Sequence, residues 1–120
     1  MIVTFKQSVK YALAGLRSFF GNERNGRIQA LVAILTITAS IILDISSLEW
    51  ILVIICTCLV LVLEMINTAI EKVCNLITPD FHPQLKLIKD ISAGAVLLAA
   101  TGSAIIGLII FIPHLLKLFS

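Results

Sequence analysis

Two carboxylates and two carboxamides, Glu64, Asn67, Glu71 and Asn75, follow directly on an apolar run from Ile51 to Leu63 that carries no charge. On a helix, at about 100° per residue, they fall at roughly 0°, 300°, 340° and 20°, a single narrow stripe. Met65, Ile66, Ala69, Ile70 and Val73 cover the remaining faces. A helix of this kind suits lipid on one side and a polar partner on the other. A carboxylate at the centre of a bilayer costs roughly 2.5–3.5 kcal/mol on insertion scales, and two on one stripe also repel. A divalent cation relieves that repulsion and takes oxygen ligands. Glu23, at the start of the first apolar segment, stands at a depth from which it could reach the same ion. Lys86 and Lys89, with the basic residues of the N-terminus, make the surroundings attractive to polyanions. Carboxylates for Mg²⁺, lysines for phosphates and a spare carboxylate at the lipid boundary suggest phosphoryl transfer from a Mg–nucleotide to a lipid hydroxyl. The sequence holds no Gly-x-x-x-x-Gly-Lys loop, which excludes a P-loop enzyme. The same acids also suit a small ion- or proton-coupled transporter subunit using Glu64 and Glu71, but a transporter wants its carboxylate near the midplane.

The elements that must position these groups are helices in a membrane. Of 120 residues, 59% are hydrophobic and 13% charged, with mean hydropathy +1.09. Soluble domains carry about a quarter charged residues, so this is an all-α integral membrane protein with one domain, 1–120. Phe5, Val9, Leu13, Leu16 and Phe20 recur at three- and four-residue spacing, with Lys6, Lys10 and Arg17 on the polar side. They predict an amphipathic surface helix over about 1–20, lying on an anionic leaflet. Spans are expected over about 28–43, 48–70 and 91–112. The first is about 24 Å long and relies on Arg27 to snorkel; the third reaches about 33 Å. Helix is expected to stop before Pro79, to restart at Pro83 and to end at Pro113 and His114. Trp50 fits an interfacial belt, and Glu49 reads as a solvated loop charge. Ala95, Ala99, Ser103 and Gly107, spaced by fours, form a seam along which helices can approach closely.

Charge orients the chain. Lys6, Lys10, Arg17, Arg24, Arg27, Lys72, Lys86 and Lys89 share one side, and only Lys117 lies on the other. By the positive-inside rule the N-terminus and the acidic stripe are cytoplasmic and the C-terminus is outside. The net charge of +2 makes no case for nucleic acid. Cys56, Cys58 and Cys74 read as small buried residues rather than metal ligands.

Glu64-x-x-Asn67-Thr68-Ala69-Ile70-Glu71, then Lys89-Asp90 followed by Ser92-Ala93-Gly94-Ala95-Val96-Leu97, resembles the signature of the small prokaryotic diacylglycerol kinase and undecaprenol kinase family. Asn22-Glu23-Arg24-Asn25 and Tyr11 match it too, so the resemblance covers nearly the whole chain. It implies a homotrimer of the bacterial inner membrane, with sites shared between subunits, that moves the γ-phosphate of ATP to a lipid alcohol. By that likeness Glu64 is the general base, with Asn67 orienting the reacting groups. Glu23 and Glu71 hold Mg²⁺. ATP is bound by Tyr11, Glu23, Glu71, Asp80, Phe81, His82, Lys89 and Asp90. The lipid lies against Glu64, Asn25, Arg27 and Ala93. The family usually has aspartate where this chain has Asn75. The acceptor is left open between diacylglycerol and undecaprenol; the Asn22–Asn25 run, the Ser47-Leu48-Glu49-Trp50 turn and the tail Ile106–Pro113 look closer to the undecaprenol branch.

Overall fold

The computed structural model describes residues 2–120; position 1 of the expected surface helix lies outside them. Four helices follow in order: α1 (Phe5–Asn22), α2 (Arg24–Ile42), α3 (Ser47–Ile77) and α4 (Pro83–Leu118). The last three are long and apolar enough to cross a membrane. At 1.5 Å per residue α3 spans about 46 Å and α4 about 54 Å, so both outrun a 30 Å hydrocarbon core and project beyond it. The molecule is accordingly elongated, 57 Å along its longest axis.

Each start has a local cause. Thr4 caps α1 in a reciprocal box, its hydroxyl accepting from Gln7 N and its own N–H donating to Gln7 Oε1. Ser46 and Glu49 make the same box at the start of α3. Pro83 opens α4 as expected, and Thr78 closes α3 just before Pro79. The turn into α3 carries Asp44 at φ 51°, a left-handed conformation that a short polar side chain tolerates.

Two helix boundaries differ from the expectation. The polar stretch between α1 and the first span is almost entirely helical, broken only at Glu23, whose extended backbone turns the chain. α4 does not stop at Pro113 but continues to Leu118. Proline removes one backbone donor, and a span can absorb that loss where neighbouring helices hold the turn. Here they do: His114 Nε2 stands 3.0 Å from Glu49 Oε1, tying this turn of α4 to the first turn of α3. Glu49 is therefore a cap and a tertiary partner rather than a solvated loop charge. Beside that pair, Ile45, Val53 and Ile110 form the main apolar contact, flanked by Trp50 and Phe111.

Elsewhere the usual distribution is inverted. Large apolar residues stand exposed on all four helices, while Ser40, Glu64, Asn67 and Thr68 are buried. That is the distribution expected when the surrounding solvent is hydrocarbon. Thr36, Thr38 and Ser40 each bond the carbonyl four residues back, which satisfies their hydroxyls without any partner helix. The cysteines only partly follow expectation: Cys74 is buried, Cys56 half-buried and Cys58 exposed on an apolar face.

The α1–α2 joint depends on Gly26, buried in the first turn of α2, where an added Cβ would collide with the Phe19 carbonyl. The obstacle is backbone, so it cannot rotate away. Gly26→Ala is expected to destabilise the detergent-solubilised protein by about 1–3 kcal/mol, read as a lowered Tm. An unchanged Tm would contradict the close approach of the two helices.

Candidate functional site

The acid-bearing half of α3 reverses the logic of its apolar half. Glu64, Asn67 and Thr68 are 6%, 5% and 8% exposed, facing protein, while Ile66 and Val73 face outward. Counting from residue 48 at 1.5 Å per residue, Glu64 lies about 24 Å along the span, towards the far boundary of a 30 Å hydrocarbon core, and Glu71 about 35 Å, beyond it. Asn67 Nδ2 donates to Glu71 Oε1 at 3.4 Å, one turn on. Glu64 feels the Glu71 charge along the same stripe and faces the Asn25 carboxamide of α2. Two enclosed oxygens, Asn67 Oδ1 and Thr68 Oγ1, have no hydrogen-bond partner. Buried polar atoms are rarely left so, and this orphaned pair lies on the same turns of α3 as the two carboxylates.

The joint between α1 and α2 delivers the third acid. Glu23 sits at the N-cap of α2 but makes no side-chain cap bond. Its carboxylate instead reaches Lys72 Nζ at 2.8 Å. Because Lys72 follows Glu71, that ion pair draws Glu23 to the turn of α3 that carries Glu71. From the other side α4 brings Lys89, whose Nζ donates to Asn75 Oδ1 at 2.8 Å. Asp90 pairs with Lys86 one turn back on α4, not with its neighbour Lys89.

Other expected site residues stand apart from this cluster in a single chain. Tyr11 on α1 and Phe81 in the α3–α4 turn are 58% and 78% exposed. Ala93 is exposed on α4. Arg27 donates from Nη1 to the Gly21 carbonyl at 3.0 Å, bracing the α1–α2 joint. Asp80 N–H donates to Thr78 Oγ1, and His82 caps α4 by accepting from Gln84 N–H at Nδ1. A separate apolar crevice of about 430 Å³ lies between α2, α3 and α4, lined by Gln29, Val32, Val53, Val60, Ser103 and Gly107 among others, and does not include the acids.

The donor set fits magnesium. Among the described residues no three His, Cys, Asp or Glu side chains gather closely enough to hold a metal by themselves. Mg²⁺ does not require that: it keeps several waters and is held by one or two carboxylates together with substrate phosphates. Glu23 and Glu71 would supply such carboxylates, and the carboxamide of Asn67, bonded to Glu71, has an unpartnered oxygen. In the sequence Lys72 stands out only as an orienting charge; its partner Glu23 arrives from another helix, which no local spacing signals.

The sequence profile described as "Prokaryotic diacylglycerol kinase" matches residues 10–111. The chain is 38% identical over 112 residues to a diacylglycerol kinase of Synechocystis, covering 92% of this chain and 64% of that protein. It thus spans just under two thirds of that relative's length. It is 37% identical over 111 residues to the undecaprenol kinase of Bacillus subtilis, covering 92% of this chain and 90% of the relative. The diacylglycerol kinase of Escherichia coli K12 is 30% identical over 104 residues, covering 87% and 85%.

The Lys89–Asn75 bond is the direct polar link between α3 and α4 at the acid-bearing end, and its acceptor is neutral. Asn75→Asp turns it into an ion pair. The gain expected is up to about 1 kcal/mol, vanishing in high salt. Thermal unfolding of the variant with and without Lys89→Met checks it; equal shifts in both backgrounds would show that the two side chains do not interact.

Proposed function

This chain belongs to the prokaryotic diacylglycerol kinase family and is a lipid kinase, and from that premise we propose that it transfers the γ-phosphate of Mg–ATP to the primary hydroxyl of a membrane lipid. The observation that carries the reading is the polar seam of α3, in which Glu64 and Asn67 are buried beside Glu71 on a helix otherwise apolar.

Each residue then has a chemical task. Glu64 is the general base: it accepts the proton of the acceptor hydroxyl, whose oxygen attacks the γ-phosphorus while the bond to the β–γ bridging oxygen breaks and ADP leaves. Its burial keeps bulk water from competing as the nucleophile. Asn67 orients the reacting groups through its free Oδ1 and its contact with Glu71. Glu23 and Glu71 would hold Mg²⁺, which would offset the negative charge of the transferring phosphates. Lys89 and Asp90 hold the nucleotide, with Tyr11, Asp80, Phe81 and His82 near the adenosine. Those exposed groups act on a nucleotide seated between neighbouring subunits of a homotrimer, the assembly that the family resemblance implies. Asn25, Arg27 and Ala93 border the lipid. The excess of lysine and arginine at the acid-bearing end supports a site on the cytoplasmic side of the bacterial inner membrane, with the C-terminus outside. That clustering at one edge, together with family membership, displaces the transporter reading.

The acceptor is a lipid primary alcohol, diacylglycerol or undecaprenol. The similarity to the Bacillus subtilis undecaprenol kinase over 90% of its length supports the second. The purified protein, given γ-labelled ATP, Mg²⁺ and each lipid in the same detergent, is expected to move label into the organic phase, more with undecaprenol. No transfer to either lipid would overturn the proposal. Glu64→Gln is expected to lower kcat by about 10²- to 10⁴-fold with nucleotide binding retained; near-normal turnover would remove Glu64 from the role of base.

A further inference from the structure

Glu23 occupies a position where an acid normally serves its own helix. At an N-cap, a side-chain oxygen ordinarily accepts from the exposed backbone N–H groups of the first turn. Glu23 makes no such bond; its carboxylate leaves the helix terminus for Lys72 on α3. The two partners differ in freedom. Glu23 is mostly covered, at 25% exposed, whereas the Lys72 side chain is 62% exposed and can swing into water at little cost. The adjacent residue is Glu71, and Asn67 Oδ1 lies enclosed and unpartnered one turn away. The Lys72 ammonium thus holds the Glu23 carboxylate against the turn of α3 that also carries Glu71.

We propose that Lys72 is the resident counter-ion of Glu23, a positioning residue that holds this carboxylate against α3 until a divalent cation displaces it. The inference rests on the reading of Glu23 and Glu71 as metal ligands and adds what that reading lacks: a reason for the basic residue that pairs with Glu23. Without metal, the ion pair offsets the repulsion among Glu23, Glu64 and Glu71 and fastens the α1–α2 joint to α3. A divalent cation held by Glu23 and Glu71 would bring twice the charge of the ammonium. Binding must break the Lys72 pair, so Lys72 weakens metal affinity in the absence of nucleotide. A plain structural staple has the opposite effect, because removing it would loosen Glu23 and weaken the metal site.

The test is a titration of the full-length protein in neutral detergent with Mn²⁺ alone, following free Mn²⁺ by electron spin resonance. Lys72→Gln is expected to bind Mn²⁺ roughly two- to fivefold more tightly than the unaltered chain, the scale of an exposed ion pair. Lys72→Arg keeps the pair and is expected to match the unaltered chain. Glu23→Gln is expected to bind at least fivefold more weakly. If Glu23→Gln weakens binding while Lys72→Gln leaves it unchanged or weaker, the counter-ion role is overturned and the metal site stands. If Glu23→Gln has no effect, the metal assignment and the inference fall together.

Discussion

A carboxylate on a helix surrounded by hydrocarbon must face protein, water or an ion, and that requirement shapes the acid-bearing half of this molecule. Three polar side chains of α3, Glu64, Asn67 and Thr68, are turned inward while neighbouring isoleucines and valines are left to lipid. The hydrophobic effect contributes little to this arrangement, because lipid tails are as apolar as leucine. What orders the half is electrostatic: Asn67 bridges toward Glu71, Asn25 meets Glu64, and Lys72 crosses to Glu23. These contacts leave Asn67 Oδ1 and Thr68 Oγ1 unpaired, which costs stability.

The opposite end is built on different terms. Ile45, Val53 and Ile110 pack there, and the Glu49–His114 pair closes the contact between α3 and α4. α3 and α4 are thus pinned at the end remote from the acids. At the acid-bearing end they meet through Lys89 and Asn75, and α2 meets α3 through Glu23 and Lys72. A polar end whose cross-links are ion pairs and single hydrogen bonds can reorganise around a charged ligand, because such contacts are exchanged for ligand contacts at little net cost. A packed apolar end cannot be exchanged in that way.

Much of this was legible in the sequence. Charge-free runs placed the three spans, Pro79 and Pro83 bracketed the turn between α3 and α4, and the 100° arithmetic put Glu64, Asn67 and Glu71 on one seam. The errors share a cause. Pro113 was read from local backbone rules as a stop, but a partner 65 residues away, Glu49, holds the turn that follows it. Asn75 bonds Lys89 on the next helix, a contact that spacing along α3 does not reveal. Glu23 pairs with Lys72 across helices, and spacing within one helix says nothing about which side chain arrives from another. Residues such as Tyr11 and Phe81 carry no local signal of their own; exposed in a single chain, they derive their expected role from family resemblance.

The central claim is that carboxylates from separate helices converge on one metal-bound nucleotide beside the buried Glu64. The most direct measurement is a crystal structure of the assembled protein with Mn²⁺ and a non-hydrolysable ATP analogue, with manganese located by its anomalous scattering. The account predicts a manganese peak in contact with Glu23 and Glu71, with Lys72 turned away from Glu23 and the γ-phosphate on the Glu64 side of the ion. Manganese held elsewhere, with the Glu23–Lys72 pair intact and the nucleotide bound, would contradict it.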